Sequence, residues 1–171
     1  MKYGVAIFPS KKVQDEANSY RKRYDTHYAL VPPHITLKYP FESNDEEIEK
    51  TIIPALDEIA KNTKPIDIAV KKVGSFKPVE NVIYLKVEPN NDLQNLSDEM
   101  HKGALEGERE HAFVPHITIA QNLSDDEFSD VYESLRMSKF DLSDRIDRFQ
   151  LLYQLDNDSW SVYETFRLKG E

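Results

Sequence analysis

The sequence predicts an α+β chain made of two copies of one unit, and three observations carry that prediction. Pro-His-Ile-Thr is written twice, at Pro33–Thr36 and at Pro115–Thr118. Each copy is followed by a serine-led helix start, Ser43-Asn-Asp-Glu46 and Ser124-Asp-Asp-Glu127, in the pattern of a capping box. The landmarks also keep a nearly constant offset: Pro9 to Pro89 is 80, His34 to His116 is 82, and Ser43 to Ser124 is 81. A tetrapeptide repeated by chance would bring neither the matching helix starts nor the matching order of elements.

Taken in order, Lys2–Phe8 is a short apolar run and reads as a strand. Ser10 caps a helix to about Tyr24, with Val13, Ala17 and Tyr20 on one face. A proline-marked loop leads into a strand over His34–Tyr39. The first capping box opens a helix to about Lys61 with Ile48, Ile52, Leu56 and Ile59 as its apolar stripe; Pro54 inside it predicts a kink or break. Ile66–Phe76 is a further strand.

From residue 80 the order restarts. Asn81–Pro89 reads as a strand, and Asn90 caps a helix ending near Gly103 or Gly107. A second proline-marked loop leads into a strand over His116–Ala120, and the second box opens a helix to about Met137. Arg145–Leu155 reads as one strand, paired with Ser159–Leu168 in a hairpin across Asp156-Asn157-Asp158. No linker parts the halves. The expectation is one domain over residues 1–171, with pseudo-repeat lobes over about 1–78 and 79–171 that can exchange terminal strands.

The bulk composition limits the function. At 171 residues, 39% hydrophobic and 31% charged, the chain has the makings of a soluble globular domain with a substantial core. It has no cysteine, which excludes a disulfide framework, a thiolate metal site and a cysteine nucleophile, and which suits a reducing compartment. The short apolar run in MKYGVAIFPSKK falls below the length of a signal peptide's core or a membrane span, so the expected location is cytoplasmic. A formal charge of −9 argues against sequence-independent binding of long nucleic acids, though not against a cleft that grips one phosphate. The local basic positions, Lys11, Lys12, Arg21–Arg23, Lys38, Lys71, Lys72 and Lys77, read as solvated faces.

On a strand, side chains alternate between faces. Ile35, Leu37 and Tyr39 therefore oppose His34, Thr36 and Lys38, and Ile117 and Ile119 oppose His116, Thr118 and Ala120. The aliphatic side suits a helix-covered core. The other side carries an imidazole and a hydroxyl in both halves. Related by a pseudo-twofold, the two polar faces can confront each other and supply a general base and a general acid, with threonine hydroxyls for phosphate oxygens. Lys38, on the predicted face of His34 and Thr36, is a candidate substrate-binding group that neutralises phosphate charge; a solvated strand-edge lysine is the alternative.

Other residues are weaker candidates. His27 and His111 precede the motifs by seven and five residues and read as loop histidines, and His101 reads as a surface group on a helix. No histidine or carboxylate spacing is that of a metal site. Tyr84, Tyr163 and Arg167 alternate so that they can reach a cleft, although packing suits the tyrosines better and solvent the arginine.

His34-Ile-Thr-Leu37 and His116-Ile-Thr-Ile119 resemble the two His-x-Thr/Ser-hydrophobic motifs of the two-histidine (2H) phosphoesterase superfamily. That superfamily includes the 2′-5′ RNA ligases and the phosphodiesterases that open 2′,3′-cyclic phosphates; within it the chain is most similar to the bacterial YjcG-type group. The resemblance implies a bilobal α+β fold with two mainly antiparallel sheets facing across a central cleft and helices outside. It implies catalysis without metal or cofactor, with His34 and His116 as proton donor and acceptor and Thr36 and Thr118 as phosphate binders. The implied partner is a small nucleotide or an RNA terminus bearing a cyclic phosphate or 2′-5′ linkage, with no membrane and no long duplex, bound by a monomer. A non-catalytic binder of the same ligands and a ligase running the reaction in reverse use the same residues and stay open at this point.

Overall fold

A computed structural model of the chain describes residues 1–107, 109 and 112–171. The elements run β1 (Lys2–Ile7), α1 (Lys11–Tyr24), β2 (Ile35–Glu42), α2 (Asp45–Glu47), a π-turn (Ile48–Ile52), α3 (Ile53–Lys61), β3 (Ile66–Ser75) and β4 (Ile83–Val87). They continue with α4 (Asn91–Glu99), a 3-10 turn (Gly103–Leu105), β5 (His116–Ala120), α5 (Asp125–Leu135), β6 (Leu142–Ile146), β7 (Arg148–Gln154) and β8 (Trp160–Arg167). No helix among the described residues is long and apolar enough to cross a membrane.

Two four-stranded sheets form, in the orders β2-β1-β7-β8 and β5-β4-β3-β6, with antiparallel neighbours throughout. β1 and β2 occupy in one sheet the places of β4 and β5 in the other. β3, which closes the first sequence half, lies in the second sheet, while β7 and β8 lie in the first. The motif strands β2 and β5 are edge strands of different sheets and lie against each other. Helices cover the far faces: α4 packs on β2 and α3 on β8, while α1 packs on β5 and β6. Ile35, Ile117 and Ile119 are fully buried there, and full burial of such a side chain contributes about 1.5–3 kcal/mol.

Five expectations change in detail. Asn44, not Ser43, caps α2: its Oδ1 accepts from the Glu47 N–H at 2.9 Å, and Ser43 Oγ donates to the Glu47 carboxylate. Asparagine is as strong a cap as serine, so the helix is capped one residue later, without the reciprocal bond of a box. The box at Ser124 forms as read, with reciprocal bonds of 3.1 and 3.0 Å to Glu127. Ser10 stands at the N-terminus of α1 without a side-chain cap, and its N–H donates instead to Asp144 at 2.6 Å.

Near Pro54 the helical run neither stops nor breaks. The Ile53 N–H bonds the Ile48 carbonyl five residues back, and Pro54, with no N–H to give, falls in the first turn of α3. The helix after Asn90 ends at Glu99, earlier than Gly103 or Gly107, and Gly103 takes a φ of +56 in the 3-10 turn that follows. Arg145–Leu155 is two strands, divided at Asp147 and placed in different sheets. Ile146 is the last residue of β6 in one sheet, and Phe149 stands in β7 of the other. The break at Asp147 buries both, at 3% and 0% exposure.

Candidate active site

The proline before each histidine has a structural use. Each histidine's Nδ1 lies against the carbonyl oxygen two residues back: Pro32 for His34 at 2.9 Å, and Val114 for His116 at 2.6 Å. A carbonyl can only accept, so Nδ1 carries the proton and Nε2 is left for chemistry. Pro33 and Pro115 hold the preceding residue extended, which sets that carbonyl beside the ring. Both motifs thus give the same tautomer in the same local pose.

The two motif strands lie against each other, and charge on His116 lowers the His34 pKa. Burial in the recess is the main cause holding His34 below the ordinary imidazole value, with Arg21 and His116 adding to it and the Pro32 carbonyl and Asp25 opposing. His116 is also lowered, again mainly by burial, against the Val114 carbonyl and the Glu80 carboxylate. Each ring remains half-buried, as do Thr36 and Thr118. Thr36 pairs with Ala6, and Thr118 with Tyr84.

Aromatic side chains orient the histidines. The Phe8 ring meets His34 edge-on at 6.5 Å. His116 meets Phe76 edge-on at 5.0 Å and Tyr84 at 5.1 Å, and those two rings pack on each other at 4.6 Å. Tyr84 gets there because its neighbour on β3 is Gly74: a Cβ on Gly74 would come within 2.7 Å of the Tyr84 ring. Tyr84 packs, as suits a tyrosine there: it is 8% exposed and lies against the His116 ring. Phe8, Phe76 and Glu80 carried no sequence signal, since each touches its histidine only through the tertiary fold.

A buried network anchors the approach to the first motif. Arg21 pairs with Asp25 at 3.0 Å and donates to the carbonyl of Val31 at 2.6 Å. Asp25 in turn accepts from the backbone N–H of His27 and from Gln121 Nε2, both at 2.8 Å. The end of α1, the loop before His34 and the end of β5 are thereby tied together. The spacing of Arg21 and Asp25, four residues apart on a helix, was the available signal for this pair.

The reading of Lys38 as sharing the face of His34 and Thr36 is corrected by the strand register. β1 and β2 pair irregularly: Ala6 opposes Thr36, Val5 opposes Lys38, and Tyr3 opposes Phe41. The bulge puts Lys38 beside the core residue Val5, on the helix-covered face, and turns Tyr39 outward to 59% exposure. Lys38 is no solvated edge lysine either, since it is 8% exposed and donates to the carbonyls of Met100 and Leu105 at 3.0 and 2.9 Å. Partial burial, then the Glu80 carboxylate, push the Tyr39 hydroxyl up.

Arg21, at 2% exposure, likewise departs from a solvated face. His101 is half-buried beyond the end of α4, with Nδ1 against the Ser97 carbonyl at 2.8 Å and the Arg109 guanidinium beside it, and so is not a surface group. The side chain of His27 is exposed in its loop, and the expectation for His111 lies outside the described residues. Tyr163 donates to Glu49 at 2.7 Å on the helix side, and Arg167 is exposed. Among the described residues no three His, Cys, Asp or Glu side chains group closely enough to hold a metal ion.

Known proteins resemble the chain along its whole length. The family model described as the 2′-5′ RNA ligase superfamily matches residues 9–158. A Bacillus pumilus protein named as a candidate phosphoesterase is 57% identical over 171 residues, which is 100% of this chain and 99% of its own. Its Bacillus cytotoxicus counterpart, similarly named, is 60% identical over 168 residues, 98% of this chain and 97% of its own. Among solved structures, TT0787 of Thermus thermophilus superposes with a TM-score of 0.74 at 20% identity, covering 100% of both chains. LigT of E. coli complexed with NADP+ gives 0.73 at 18% identity, covering 98% of each chain. LigT complexed with 3′-AMP gives 0.71 at 17% identity, covering 98% of this chain and 97% of its own.

Proposed function

The chain belongs to the 2′-5′ RNA ligase superfamily, and from that premise we propose that it is a metal-independent phosphoesterase. In this reading it opens a 2′,3′-cyclic phosphate, or cleaves a 2′-5′ phosphodiester, at a nucleotide or RNA end. One observation carries the reading: His34 and His116 adopt one pose, each with Nδ1 committed to a backbone carbonyl and Nε2 free. The nucleotides bound to LigT, NADP+ and 3′-AMP, support a ligand of nucleotide size for the cleft.

In the proposed step, Nε2 of one histidine takes a proton from water as the oxygen attacks phosphorus, and Nε2 of the other gives a proton to the departing ribose oxygen. Thr36 and Thr118 hold the non-bridging oxygens as hydrogen-bond donors. The surroundings divide the roles. Glu80 favours charge on His116, while on His34 the charges of Arg21 and Asp25 oppose each other. His34 is then the base and His116 the acid in hydrolysis, and ligation, its reverse, exchanges them.

The test is hydrolysis of 2′,3′-cyclic nucleotides in EDTA by the wild type, His34→Ala and His116→Ala. Each variant should lose at least about 10²-fold in kcat/KM, the lower end of general acid–base contributions. Activity retained by both variants would sink the mechanism.

A further inference from the structure

The concave face of the first sheet holds a buried polar group that the two-histidine chemistry leaves unused. Thr36 pairs with Ala6, Ala6 with Gln150, and Gln150 with Thr165, which makes one row across β2, β1, β7 and β8. Cross-strand partners share a face, so Gln150 stands on the side of Thr36. Between them β1 presents only Ala6 and, one pleat along, Gly4, which pairs with Leu152. β1 thus adds no more than a methyl group to the row, and Gly4 and Ala6 are themselves buried, Ala6 at 3% exposure. A Cβ on Gly4 would stand 3.9 Å from the Trp160 ring, so the indole packs against Gly4. At the β8 end Thr165 is exposed, and the row opens to solvent.

Gln150 is 8% exposed, and no group among the described residues pairs with its Oε1. A buried amide oxygen without a partner destabilises a fold and is uncommon in native proteins. A ligand in the cleft can supply that partner.

We propose that this row is the nucleobase subsite and that Gln150 reads the hydrogen-bonding edge of the base. The inference rests on the phosphoesterase reading and adds where the rest of the substrate lies. β7 is two strands from β2, about 9.5 Å at the usual spacing between strands. A phosphate held by Thr36 therefore leaves a nucleoside's base within reach of Gln150 on the same face of the sheet. A primary amide offers one donor and one acceptor side by side, the complement of the paired donor and acceptor on a base edge.

Two measurements test the assignment on folded protein. The first is calorimetric binding of the four nucleoside 3′-monophosphates and of inorganic phosphate to the wild type and to Gln150→Leu, a change close in volume. The expected result is a loss of about tenfold for the best-bound nucleotide, the worth of one hydrogen bond, and none for inorganic phosphate. Equal losses for both ligands, or no loss for either, overturn the proposal. The second is the ranking of the four 2′,3′-cyclic nucleotides by kcat/KM with Gln150→Glu, which keeps size and replaces the amide donor with an acceptor. The ranking should change; an unchanged ranking overturns the proposal even if Gln150→Leu fails to fold. If the wild type hydrolyses no cyclic nucleotide, the phosphoesterase reading fails by itself, and the subsite still stands or falls on the calorimetry.

Discussion

Arg21 and Asp25 form an ion pair at 3.0 Å with side chains only 3% and 2% exposed. Each is held by further bonds, Arg21 to Asn18 and the Val31 carbonyl, Asp25 to Gln121 and the His27 N–H. Removing one member of such a pair strands a buried charge, at a cost of about 3–5 kcal/mol. Asp25→Ala should therefore lower the urea midpoint sharply, and the double change Arg21→Met with Asp25→Leu should cost less than the sum of the single changes. Simple additivity in the double-mutant cycle would show that the pair is uncoupled.

The two histidines make the activity profile acidic. Both titrate below the ordinary imidazole value, mainly through burial, and the free enzyme needs one neutral and one charged. The kcat/KM optimum should then fall below about 6.5, the unperturbed histidine value. Glu80→Gln removes a carboxylate that raises His116, so the alkaline limb, where the acid loses its proton, should move to lower pH. Movement of the acid limb alone would reverse the assigned roles.

Stability follows the same shifts with a fixed sign. His34, His101 and His116 are all lowered in the folded state, so between folded and unfolded values the unfolded chain binds more protons. Stability is fully present above about pH 6.5 and declines as pH falls toward the folded values. The thermal midpoint should drop on acidification from pH 7 through this window, and His101→Gln should shallow the slope. A midpoint that is flat or rises across the window would contradict these shifts.

Much of the site was legible because its signals are local. Strand alternation in PHIT separates Ile35 and Ile117, both fully buried, from His34 and His116, and the capping box at Ser124 needs only four residues. The missed features depend on partners far away in sequence. The bulge that redirects Lys38 and Tyr39 exists only in the pairing of β2 with β1. The division at Asp147 reflects the passage of the chain from one sheet to the other. Glu80 and Phe76 lie in and beside the connection from β3 to β4, and only the folded chain brings them to His116. The spacing of Arg21 and Asp25 was visible; their burial against the loop before His34 was not.

Lys38 separates a structural cation from a substrate-binding one. Its Nζ donates to the carbonyls of Met100 and Leu105, joining β2 to the turn after α4, and burial with the nearby Arg109 lowers its pKa. Lys38→Met keeps the length and apolar stem but leaves both carbonyls without this donor. The expected cost is about 1–3 kcal/mol of stability, the penalty of unpaired buried acceptors partly offset by relief of a buried charge. KM for a 2′,3′-cyclic nucleotide should stay within about threefold of the wild type, because a phosphate contact from a lysine, worth a charge-assisted bond, would cost tenfold or more. Denaturant titration beside steady-state kinetics distinguishes the two outcomes: lost stability with KM preserved fits the position beside Val5, whereas a raised KM with stability intact would return Lys38 to the cleft.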